Sequence, residues 1–158
     1  FGFQDGHGGQ WLCTHAGLTA GWLHDHKREL KVNEYDEVPS ASAFAQALNR
    51  LLDHGAYRSF NECGVMRGGY SRHPSPIWAD RKELRGDPIH NLNQVVGHTP
   101  LSTATQERSM FHEHVFTDTF STWSDDSPIG DYTVAIMDVD TASIRFVRLK
   151  DYHNRHKK

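Results

Sequence analysis

Two short apolar runs, each cut off at a histidine, constrain this chain more than any other feature. Gln10–Thr14 (QWLCT) and Asn93–Val96 (NQVV) are too short for helices and are bounded by turn residues, so each reads as a buried strand. The first stops at His15-Ala-Gly-Leu18 and the second at Gly97-His98-Thr-Pro100. Pro100 keeps Thr99 out of helical geometry and fixes the second turn. Strands of this kind need cover, and the sequence between and after them says what can supply it.

Thr19–Lys27 reads as a helical turn with Leu18, Trp22 and Leu23 on one side. The clearest helix opens at Pro39-Ser, capped by Ser40 or Ser42, with Phe44, Ala47, Leu48, Leu51 and Leu52 at helical spacing. His54-Gly55 ends it. Residues 61–76 are rich in Gly, Ser, Arg and Pro and read as a long loop, and 77–84 as a short ordered piece. Val115–Thr119 is a further strand. Tyr132–Val139 and Ser143–Leu149 read as a hairpin joined by Asp140-Thr-Ala. Strand, helix, loop, strand and then antiparallel strands predict an α/β fold with a mixed sheet sandwiched by helices.

The 158 residues make one domain's worth of chain, with 37% apolar and 23% charged residues placing it among globular proteins. Residues 1–150 form the body, and 151–158 a polar tail expected to fray. With 20 acidic and 17 basic residues the net charge is −3, which gives no broad basic footprint for nucleic acid or an acidic membrane. No apolar run approaches the ~18–20 residues of a membrane span. Cys13 and Cys63 lack CxxC spacing and read as two reduced, partly buried thiols. With no secretory signal in FGFQDGHGGQ, the expected setting is the cytoplasm, or a host's cytoplasm for a phage protein.

Of the 12 histidines, His15 and His98 have a positional reason to act. Each emerges where an apolar strand stops, and in helix-flanked sheets ligand sites gather at that edge. Ala16, Gly17 and Gly97 leave room for a ligand to approach the backbone. Neutral imidazole ligates Zn, Mn, Fe or Ni, and the competing reading is a pair of hydrogen-bonded structural histidines. His24-Asp25-His26 and His112-Glu-His114 read as exposed polar clusters. Asp5-Gly-His7 lies too close to His15 for a strand, loop and helix between them.

The wording of several segments resembles one family. Thr14-His-Ala-Gly-Leu18 is similar to the HAGL motif of calcineurin-like metallophosphoesterases, and Gly97-His-Thr-Pro100 to the GHTP that closes their metal site. Pro76-Ile-Trp-Ala-Asp-Arg81 resembles the WxDR or WNR segment of the bacterial and phage serine/threonine-type phosphatases. Phe116-Thr-Asp-Thr119 resembles the family's IDTG strand, with Phe120 where Gly is usual, and Tyr132–Ile136 its closing strand. The order agrees from about residue 10 to residue 149.

The resemblance implies the C-terminal half of a four-layer αββα sandwich and a phosphatase or phosphoesterase acting at a dinuclear centre. His15 is then the ligand of one divalent metal and His98 of the other, the ions being Mn, Fe or Zn. Two such ions share a hydroxide and clamp both oxygens of an in-line displacement. Arg81 holds the substrate phosphate with a guanidinium fork, against the alternative of an ion pair with Asp80 or Glu83. Arg67, in a Gly-rich loop, is a second phosphate-binding candidate, and a solvated loop arginine otherwise. Asp118 is expected either to orient a ligand histidine from behind or to cap a turn.

The family's Asp-x-His, Gly-Asp-x-x-Asp and Gly-Asn-His motifs are absent, so the 158 residues are expected to need a missing N-terminal half or a second chain. The implied partner is a phosphorylated substrate: a phosphoprotein, a nucleotide or a small phosphoester. The alternative is a non-catalytic structural or binding module. Half a sandwich leaves a sheet face uncovered, so the chain alone is expected to form oligomers or to require its complement.

Overall fold

A computed structural model describes residues 1–32 and 40–149. QWLCT becomes a central strand, β2 (Gln10–Cys13). It pairs antiparallel with β1 (Gly2–Gln4) and parallel with β3 (Leu92–Val96). β3 pairs parallel with β5 (Glu113–Phe116), which pairs antiparallel with the edge strand β4 (Thr105–Arg108). The order β1-β2-β3-β5-β4 makes a five-stranded mixed sheet, and β6 (Thr133–Asp138) with β7 (Ser143–Arg148) forms a separate two-stranded one. The fold is mixed α/β.

Helices cover one face of the large sheet. In α1 (Ala20–Leu30) Thr19 accepts a bond from the Trp22 N–H, and Lys31 closes the helix in the left-handed conformation. The helix is longer than the turn expected from the sequence, because Trp22, Leu23 and Leu30 all reach the core. α2 (Ala41–Asp53) uses Ser40 as its cap, accepting from the Ala43 N–H. Phe44, Ala47 and Leu48 pack with Leu12, Leu92, Trp22 and Phe60 in the main core. Burial of each leucine or phenylalanine among them stabilises the fold by roughly 1.5–3 kcal/mol.

The register puts Phe3, Trp11, Cys13, Val95 and Val115 on the opposite face. There, between the sheet and the hairpin residues Met137 and Val139, lies an apolar cavity of about 620 Å³, also lined by Phe1, Phe3, Cys13 and Val95. Phe1, Val139, Ile136 and Phe146 remain exposed.

Several boundaries differ from expectation. The loop over 61–76 holds a single 3₁₀ turn, Val65–Arg67, preceded by the short α3 (Tyr57–Phe60). The ordered piece expected at 77–84 is α4 (Arg81–Gly86), which starts later because Asp80 and Glu83 form a reciprocal capping box. The strand expected at 115–119 is shifted to 113–116 by its pairing with β3 and β4. β1 and β4 were not expected: β1 is three residues long, and β4 (TQER) carries its polarity as an edge strand does. Asp5 closes the β1–β2 turn, accepting from the His7 and Gly9 N–H groups and from Trp11 Nε1–H. The start of the second helix at Pro39 and the 151–158 tail lie outside the described residues. No helix among the described residues is long and apolar enough to cross a membrane.

Candidate functional site

The site forms where β2 and β3 end side by side. Gln94, fully buried in β3, accepts from the Leu18 N–H at 2.8 Å and donates to the Leu18 carbonyl at 2.9 Å. That two-bond clamp ties the segment after His15 to the neighbouring strand. Gly17 sits at φ 113, and a Cβ there would meet Leu84 Cδ2 at 2.5 Å, so this turn admits only glycine. Gly97 donates to the His15 carbonyl at 2.9 Å.

His98 itself has φ 63, and the Thr99 N–H bonds to the Gly97 carbonyl across it at 2.7 Å. A γ-turn of this hand around a non-glycine residue is strained. It swings the imidazole toward its partner: His15 Nε2 and His98 Nδ1 lie 2.9 Å apart, bridging 83 residues of chain. His98 Nε2 is buried with no partner. The indole of Trp78 meets the His98 ring edge-on at 5.8 Å. Burial, then the Arg67 charge and His15, hold the His98 pKa below its usual value against the opposing pull of Asp118 and Asp80. The ring is therefore neutral at neutral pH.

Arg67 braces this turn. Its Nη2 donates to the His98 carbonyl at 3.2 Å and to Thr99 Oγ1 at 2.8 Å, and pairs with Asp80 at 3.3 Å. Asp118 accepts from Ser121 Oγ at 2.8 Å and bonds to neither histidine ring; it acts on His98 through its charge alone. Arg81 is placed differently. Its backbone N–H reaches Thr99 Oγ1 at 3.1 Å, but its guanidinium turns away to Glu107, bonding through Nε and Nη2, and lies over the Phe116 ring at 4.8 Å. Its ion-pair partner is thus neither Asp80 nor Glu83.

The sequence-derived residues His15, His98 and Arg67 therefore converge, Asp118 stands nearby, and the Arg81 fork is withheld. Asp80, Thr99 and Glu107 were missed. The D-x-x-E spacing of Asp80 and Glu83 is a readable helix start, whereas nothing local marks Glu107 as the partner of Arg81. The two histidine clusters are corrected in part. His26 is buried against Trp22 at 4.4 Å and bonds Glu62 at 3.0 Å, and His114 is fully buried.

The implied metals find an incomplete donor set here. The orphaned His98 Nε2 suits a ligand role, but catalytic zinc sites use three protein ligands, and His15 and His98 spend one nitrogen each on the other. Among the described residues no group of three or more His, Cys, Asp or Glu side chains is arranged to hold a metal ion. Comparison of the chain with protein-family models, curated proteins and solved structures finds no match.

Proposed function

We propose that this chain forms one wall of a metal-dependent phosphoesterase site, with His15 and His98 as ligands and the remaining ligands supplied by residues outside those described or by a second chain. The observation that carries the reading is the convergence of two histidines 83 residues apart at the ends of adjacent parallel strands, with backbone strain placed at one of them. Two divalent ions, when bound, supply the nucleophilic hydroxide for hydrolysis of a phosphate ester. The chain's own part is positional. The half-buried His98, its pKa held below the usual value, favours the neutral form that ligates. Arg67 holds the His98–Thr99 turn in register, and Arg81 reaches a phosphate only after leaving Glu107.

A second reading, a non-catalytic module on a phosphoesterase-like half-fold, is favoured by one observation: both arginines pair with carboxylates inside the chain, and the two histidines bond to each other. One experiment separates the two. The complete gene product is assayed for Mn-dependent hydrolysis of an aryl phosphate, wild type against His15→Ala and His98→Ala. Loss of at least about a hundredfold in kcat/KM in both variants supports the enzyme. No metal-dependent hydrolysis in the wild type, or equal rates in all three proteins, leaves the binding module.

A further inference from the structure

At the opposite end of the sheet from His15 and His98, a cleft of about 520 Å³ opens between α4, β4 and the start of β5. Arg85, Glu107, Arg108, Ser109, His112 and His114 line it. All of these except Glu107 are donors or protonatable bases, and Glu107 is already neutralised twice over, by Arg81 on one oxygen and by Arg85 on the other at 3.0 Å. Two guanidiniums against one carboxylate leave an excess positive charge on this wall. Arg108 meets Glu113 through Nε alone, at 3.0 Å to both oxygens, and Arg85 meets Glu107 through Nε. Both side chains are more than half exposed.

The floor carries a second, independent sign of a ligand. His114 is 1% exposed, and its Nε2 is buried with no hydrogen-bond partner. Such an orphaned polar atom costs stability and is uncommon in folded proteins. The His112 ring lies 4.6 Å from it, with Nδ1 tied to Ser109 Oγ at 2.9 Å.

We infer that this cleft is a binding site for a small tetrahedral oxyanion, phosphate in its free form or as the head of a monoester. Cationic groups reach the cleft from three directions: Arg85 from the helix, Arg108 from the edge strand, and His112, when protonated, from the turn, where the Ser109 hydroxyl is spent on the His112 carbonyl. Such a set fits an ion with three or four oxygens better than a planar carboxylate. The site is independent of the reading given to His15 and His98. It also takes up a proton. The groups facing His114 are Arg85 from α4, Glu107 opposite it on β4, and His112 in the turn that leads into its own strand; the Arg81–Glu107 and Arg108–Glu113 pairs lie just beyond. The bound anion adds negative charge to that set, so binding raises the proton affinity of His114 and tightens as pH falls.

The test is NMR of the histidine side chains in the full chain during titration with sulfate, which does not itself titrate in this range, at constant ionic strength. His112 and His114 signals shift saturably, and affinity is at least about fivefold tighter at pH 5 than at pH 7. The exposed substitutions Arg85→Gln and Arg108→Gln together weaken binding about tenfold or more while the other histidine signals stay in place. Parallel titrations with inorganic phosphate and glycerol phosphate identify the free or esterified form by the tighter of the two. Absence of saturation, equal binding by the double variant, or affinity unchanged between the two pH values overturns the assignment.

Discussion

Lowering the pH from 7 to 5 is predicted to destabilise this fold through His114. Burial holds its pKa down, with help from His112 and Arg85 against Glu107, at about 4 in place of 6.5. For a histidine with a lowered folded pKa, the unfolded chain binds the proton first. Stability is therefore full above the unfolded value and is lost as pH falls toward the folded one. Integrating between those two values gives a loss of about 2 kcal/mol from pH 7 to pH 5 for this residue alone. His98 and His112 are lowered as well, both by burial first, and add in the same direction. The assay is urea unfolding followed by tryptophan fluorescence, with Trp11 and Trp22 buried in the native state. At a slope of ~2 kcal/mol per molar, the midpoint falls by about 1 M for the His114 contribution. His114→Phe supplies the control, since it keeps a ring beside Phe116, removes the orphaned nitrogen and cannot titrate. Its stability should depend on pH less than that of wild type by those 2 kcal/mol. An equal loss in both proteins would refute the placement of a neutral, buried imidazole at this position.

Two further outcomes follow from the same geometry. Gly17→Ala puts a methyl against Leu84 at a left-handed backbone position and is expected to cost at least about 2 kcal/mol, read as a fall in thermal midpoint; a neutral result contradicts the packing at this turn. Glu107→Gln removes the carboxylate shared by Arg81 and Arg85, with an expected loss of about 1 kcal/mol in thermal unfolding and stronger sulfate binding in the cleft; unchanged values for both contradict the charge balance drawn there.

The parts of the fold legible in the sequence were those whose pattern is local. The apolar runs QWLCT and NQVV, the amphipathic α2 and the β6–β7 hairpin each carry their own period or punctuation. The capping serine of α2 was one of two candidates, and the choice fell to Ser40 because its side chain meets the Ala43 N–H. β4 was illegible because TQER has no apolar face and becomes a strand only through its pairing with β5. His26 and His114 were misread for a related reason: a histidine in a polar triplet looks solvated, yet periodicity puts His26 on the core face of α1 and the strand register puts His114 beside Gln94.

The candidate site divides along the same line. His15 and His98 were legible because each ends an apolar strand, and adjacent parallel strands bring such ends together without further instruction. Arg67 was legible as a residue type, and its role became specific only when the loop folded back onto the His98 carbonyl. Arg81 shows what the motif left out. The resemblance of its segment implies a guanidinium that holds phosphate, and the alternative was an ion pair with Asp80 or Glu83. Those two carboxylates are engaged in capping α4, and Asp80 also pairs with Arg67, so neither meets Arg81. The partner comes instead from Glu107, 26 residues away on a strand whose pattern gave no warning. A functional reading of Arg81 therefore depends on the least legible element of the sheet, and the strength of its bond to Glu107 decides whether the segment resembles a phosphate-binding motif in action or only in spelling.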